Sequence, residues 1–181
     1  MTCYYEPVKG PGAERRDELG NTAPYRKRPH LGEDWGFSNG SEGKDIWVIH
    51  TGKVAKIENN GALGWTAYIT IICDKCRYDG YTIEYNHMLG KPTLKVGQIV
   101  EANKNTVGLI GDTGSELSQS GAFHLHASMA KVAIPHTAPL EHKISLFDLI
   151  DKSTAERAAM RQAIKAKQAR LNSGNPEGSV A

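Results

Sequence analysis

The chain has 181 residues, 39% hydrophobic and 23% charged, with a formal net charge of +2, which suits one globular domain with some appended sequence. No apolar run approaches the roughly 18 residues of a membrane-spanning helix, so membrane insertion is not expected. Six basic and three acidic residues follow from Asp151 onward, so the positive excess sits in the tail, and the remainder lacks the basic patch of a nucleic-acid binder.

Residues 1–22 are rich in Gly, Pro and charge without sustained periodicity, and they read as an irregular arm with room for a short helical turn around Ala13 to Leu19. No apolar segment of the signal-peptide kind occurs in it. Next comes PHLGEDWG, residues 29–36, where His30 and Asp34 stand four apart with Gly32 between them. From Asp45 to about Val132 follow DIWVIH, GKVAKIE, WTAYITIIC, YTIEYNH, QIVEA, TVGLIG and FHLHASMAKV, separated by the turn signals NNGALG, YDG, KVG and GDTG. Short alternating or β-branched runs with no helical pattern between them predict a mainly β domain built on an antiparallel sheet or sandwich.

Within YTIEYNHMLG, strict alternation puts His87 on the same face as Tyr85 and Ile83. In FHLHASM it puts His124 and His126 on one face and Phe123, Leu125 and Ala127 on the other. Two imidazoles facing one space suit a metal site, a proton-handling site, both, or a half-exposed surface. Cys73 and Cys76 form a CxxC without a second pair to complete a four-thiolate zinc site, and Cys3 is distant. Free thiols are the first expectation, with a local disulfide or a metal as alternatives, and an odd cysteine count fits a reducing cytosol. After SLFDLID, the run STAERAAMRQAIKAKQARL reads as a helix, with Ser153 and Glu156 at capping-box spacing and Gly174 as a stop.

Histidine, carboxylate and a further histidine make the kind of three-ligand set that holds a catalytic zinc and leaves a fourth position for water. His30, Asp34 and His126 can supply it. No HExxH glutamate is present to act as base, so an imidazole must take that part.

Taken together, His30-x-x-x-Asp34, Gly52-Lys-Val54, the strand ending Tyr85-Asn86-His87, Lys95-Val-Gly-Gln-x-Val100, the turn Gly108-Leu-Ile-Gly-Asp-Thr-Gly114 and His124-Leu-His126 resemble the lysostaphin/LytM-type zinc endopeptidases of bacterial cell walls. The resemblance spans about residues 25–129. It implies a lysostaphin-type, barrel-sandwich-like peptidase domain over residues 23–148, followed by a basic C-terminal helix and tail over 149–181. It also implies one Zn2+ per chain on His30, Asp34 and His126, with His87 and His124 as the catalytic pair. The implied substrates are stem or cross-bridge peptides of peptidoglycan.

Trp35, next to Asp34, and Tyr85 are candidates for the substrate groove, whereas Trp47 and Trp65 suit packing. His50 reads as structural or exposed, His136 and His142 as surface, and Asn21 as a turn residue. Phe123 stands where the family commonly has Pro, and Ala127 where it commonly has Phe. A lone catalytic domain of this kind, acting as a monomer, suggests a phage endolysin or virion-associated lysin, made in the host cytoplasm and released to the wall through a pore. The basic tail is expected to attract anionic wall polymers. The alternatives are a catalytically silent wall-binding or regulatory module and a structural tail-tip component.

Overall fold

The computed structural model describes residues 4–24, 26–74, 76–114 and 122–172, without the side chains of 170–172. All seven expected strands form: β3 (Asp45–Trp47), β4 (Gly52–Asn59), β5 (Trp65–Ile71), β6 (Thr82–Met88), β7 (Ile99–Val100), β8 (Thr106–Leu109) and β9 (Leu125–Ala130). Two more precede them, β1 (Ala13–Asp17) and β2 (Glu33–Phe37). A seven-stranded antiparallel sheet runs in the order β1-β2-β9-β6-β5-β4-β7, and β3 pairs with β8 in a separate ribbon.

Register assigns each face of the sheet. Pairing of Tyr85 with Ala127, Ile83 with Met129 and Trp35 with Leu125 lines up one apolar face. Those residues join Ile46, Val48, Ile49 and Val107, with Leu146 and Ile150 of the C-terminal helix, in one core. Pairing of Asn86 with His126, His126 with Asp34, and Glu84 with Ser128 gathers the polar side chains on the opposite face. The period of two is what separates core from chemistry.

The N-terminal arm departs from expectation. Residues 13–17 are an edge strand on β2 rather than a turn of helix, because pairing with β2 satisfies backbone groups that a short isolated helical turn leaves open. Arg15 ties this strand to the helix through Asp151 (2.8 Å) and to the preceding arm through Glu6 (2.6 Å).

The helix, α1 (Leu146–Asn172), begins seven residues before Ser153. Its N-terminus is satisfied from a distance: the Glu33 carboxylate accepts from the amides of Leu146 (2.8 Å) and Phe147 (3.1 Å) and from the Ser145 hydroxyl (2.8 Å), and Ser145 Oγ accepts from the Asp148 amide (3.1 Å). Burial pushes Glu33 up to about 7, while those hydrogen bonds pull it down. Ser153 is therefore no cap. It lies buried inside the helix and accepts from the Tyr4 amide (3.0 Å). Beyond Arg157 every residue through Ala169 is exposed, so the first half of α1 docks and the second half extends along solvent. Gly174, the expected stop, lies outside the described residues.

Cys73 and Cys76 are paired as a disulfide rather than free. The turn between β5 and β6 brings their Cα atoms to 5.7 Å, within bridging range, and Asp79 braces it by accepting from the Cys73 amide (2.9 Å).

Candidate metal centre

Asp34 on β2 and His126 on β9 are direct cross-strand partners, so their side chains emerge together from the polar face. His30 enters from the turn before β2. His126 Nδ1 lies 2.9 Å from Asp34 Oδ1, His30 Nε2 lies 3.0 Å from His126 Nδ1, and His30 Nε2 lies 3.3 Å from Asp34 Oδ1. This triangle matches one face of a tetrahedron around zinc, whose donors at about 2.0–2.1 Å stand about 3.3 Å apart. Two imidazole nitrogens and a carboxylate oxygen are also the donor types that zinc takes.

Neighbouring groups orient the donors. His30 Nδ1 donates to the Glu18 carbonyl (3.1 Å), which leaves the Nε2 lone pair facing the centre. The Asp17 carboxylate stands 3.6 Å from that ring and is held by Asn21 and Arg26. Burial pushes Asp34 up, but the imidazoles of His126 and His30 outweigh it and hold the carboxyl well below the usual range. Close approach depends on Gly32, where a Cβ would lie 2.5 Å from His126 Nε2 and 2.6 Å from the Ala127 carbonyl. Gly32→Ala is therefore expected to displace His126 and weaken zinc binding by about 10- to 100-fold, the cost of overpacking a close contact. A competition titration with a zinc indicator measures this, and unchanged affinity would contradict it.

His87 reaches the site by an irregularity. Trp65 pairs with Met88 and Ala67 with Tyr85, so Asn86 and His87 together oppose Thr66. The extra residue is a bulge, and His87 takes φ 61°, which turns its ring away from the Tyr85 face toward the polar one. The expectation that His87 shares a face with Tyr85 therefore fails, because a bulge breaks the alternation. The His87 amide donates to the Leu63 carbonyl (3.0 Å) and Nδ1 to the Thr113 carbonyl (3.0 Å). Thr113 is itself fixed, accepting from the Trp65 amide (3.0 Å) and donating to the Met88 carbonyl (2.6 Å).

His124, just ahead of β9, donates from Nδ1 to the Ala122 carbonyl (2.6 Å) and sets Nε2 3.6 Å from Asp34 Oδ1. The His87 ring lies 5.2 Å from that of His124 and 5.9 Å from that of His126. Both imidazoles thus keep Nε2 available beside the triangle.

Burial, then the imidazoles of His126 and His124, push His87 down to about 3 from 6.5. Between those values the unfolded chain holds a proton here that the folded chain does not, so stability rises with pH across the window and is lost on acidification. In chelator, His87→Gln is expected to flatten that dependence by up to about 1.4 kcal/mol per pH unit. Denaturant titrations from pH 4 to 6 measure it, and equal slopes for parent and variant would contradict it.

Trp35 and Tyr85 do not line a groove. Trp35 is fully buried, donates from Nε1 to Glu6 Oε2 (2.9 Å) and packs edge-on against Phe147. Tyr85 is fully buried, and its hydroxyl accepts from the Ile49 amide (3.0 Å). Both sit on the core face, one residue out of phase with Asp34 and Asn86. His50 is buried against Tyr4, as a structural histidine. His142 is exposed. His136 is more than surface: its amide (2.7 Å) and Nδ1 (2.8 Å) both donate to the fully buried Glu84 carboxylate. Asn21 forms a turn, its Oδ1 accepting from the Ala23 amide (2.9 Å). Asp17 and the Glu18 carbonyl were invisible as site residues, since a backbone oxygen carries no sequence signal and the arm's pairing with β2 is long-range.

No protein-family model matches the sequence. Solved structures do resemble this one. SpoIIQ, in the structure of the SpoIIQ–SpoIIIAH pore-forming complex, has a TM-score of 0.62 at 18% identity, covering 87% of this chain and 98% of that one. The catalytic domain of the antimicrobial peptidase lysostaphin from Staphylococcus simulans has a TM-score of 0.58 at 19% identity, covering 76% of this chain and 92% of that one. A variant of the catalytic domain of the prophage-encoded M23 protein EnpA from Enterococcus faecalis has a TM-score of 0.55 at 23% identity, covering 72% and 89%. With its antiparallel sheet of seven strands and single C-terminal helix, the chain has the lysostaphin/M23 fold.

Proposed function

We propose that the chain is a zinc metalloendopeptidase that hydrolyses peptide bonds in peptidoglycan, in the setting of a phage endolysin or virion-associated lysin. The observation that carries this reading is the convergence of five side chains: His30, Asp34 and His126 in a donor triangle, with His87 and His124 beside it, each tied at Nδ1 to a carbonyl. Zinc, when bound, lowers the pKa of water to about 7 and polarises the scissile carbonyl. The Nε2 atoms of His87 and His124 then accept the proton of the attacking water, donate to the developing oxyanion and return a proton to the leaving amine. His87, held neutral by its surroundings, suits the accepting part.

The exposed half of α1 carries Arg161, Lys165 and Lys167 without an acidic residue between them. It would draw the protein to anionic wall polymers by an attraction that fades as salt rises. Likeness to SpoIIQ favours a second reading, a module that binds a protein partner and does not hydrolyse.

Metal analysis of the purified chain, with mass spectrometry of fragments released from walls of several chemotypes, tests the first reading. It requires about one zinc per chain, cleavage abolished by chelator and restored by zinc. Far less zinc and no released peptide would leave the binding module.

A further inference from the structure

We infer that Arg16 is the positioning residue of His124. Arg15 pairs with Trp35 and Asp17 with Asp34, so Arg16 is the extra residue of a bulge in β1, the kind of irregularity that re-aims a side chain. Its guanidinium is laid flat on β2 at Gly36, where a Cβ would lie 2.4 Å from Cζ. The partner of Gly36 would be His124 if the β2–β9 register, Asp34 with His126 and Trp35 with Leu125, ran on, and the pair after it would be Phe37 with Phe123. The ladder stops before reaching them, and the guanidinium takes its place: Nη2 donates to the Phe37 carbonyl (2.7 Å), Nη1 to the Phe123 carbonyl (3.0 Å) and Nε to Glu14 Oε1 (3.0 Å).

Two carbonyls on strands that have parted are thus bridged by one planar cation. A fork of this geometry is available to arginine and not to lysine. The consequence falls on His124, whose backbone lies outside β9 and whose ring, among the described residues, has its hydrogen bond at the neighbouring Ala122 carbonyl. Asp34 and His126 sit on the paired part of the same strands and His30 in the turn before β2, so the metal triangle does not rest on Arg16. The inference deepens the hydrolase reading and rests on it for its kinetic arm.

The test uses the full zinc-loaded chain with Arg16→Ala and Arg16→Lys. Both variants are expected to keep about one zinc and the parent KM, and to lose about 10- to 100-fold in kcat, the scale of a misplaced catalytic group. Free guanidinium should restore part of the loss in Arg16→Ala and none in a variant lacking His124. An arm independent of turnover is the long-range 15N–1H spectrum of the imidazoles. The parent should show His124 as one Nδ1–H tautomer and Arg16→Ala a mixture, with His30, His87 and His126 unmoved. Loss of zinc, KM and thermal stability together would make Arg16 a general brace and overturn the inference, as would kcat within twofold of the parent and an unaltered His124 signal. If the parent itself releases no peptide, the hydrolase reading fails, and the spectrum alone decides the role of Arg16.

Discussion

Asp34→Ala and His126→Ala are each expected to yield a folded chain that keeps no zinc through dialysis and releases no peptide from peptidoglycan. Three protein donors are a minimum for a zinc that must hold a water as well. Either change leaves two, and in Asp34→Ala it also removes the only charge in the triangle that offsets the metal. Folding should survive, because both side chains lie on the polar face and the core packs on the other. Asp34→Asn separates charge from shape: it preserves volume at that corner of the triangle yet should bind zinc far more weakly.

Thermal melts provide a readout apart from activity. Zinc should stabilise the parent by an amount that grows with its concentration, about 2.7 kcal/mol at a hundredfold excess over Kd. It should leave the ligand variants unmoved. A ligand variant that retained one zinc through dialysis would refute the assignment of the triangle.

His87→Ala and His124→Ala should behave differently, retaining zinc and losing about 10² to 10⁴ in turnover, the range for removal of a general acid or base. His87 is held by Thr113 and His124 by Ala122, and neither contributes to the three converging donor atoms. If the two imidazoles handle one proton sequence as a unit, the double variant should lose little more than the worse single one. Metal content and single-turnover rates on a defined wall peptide measure this. Loss of zinc from either variant as complete as in Asp34→Ala would place that histidine among the ligands instead.

Features that depend on neighbours along the chain are legible in the residues alone. Alternation over a few residues marks a strand and its two faces, so the seven runs from β3 to β9 were legible, as was the common face of His124 and His126. Features that join residues far apart emerge only when the sheet assembles. Asp34 meets His126 across 92 positions because β2 pairs with β9, and the β1–β2 edge that braces His30 forms only once that sheet exists to receive it. Trp35 and Tyr85 look like groove residues beside Asp34 and His87, yet register turns both into the core. The bulge that swings His87 to the metal side is one inserted residue, set by its mismatch against Thr66 rather than by its own composition. The start of α1 differs from the local signal for the same reason. Its capping carboxylate comes from Glu33, 113 positions from the amide of Leu146, and local spacing at Ser153 and Glu156 cannot compete with a buried acceptor that the sheet delivers to the helix end.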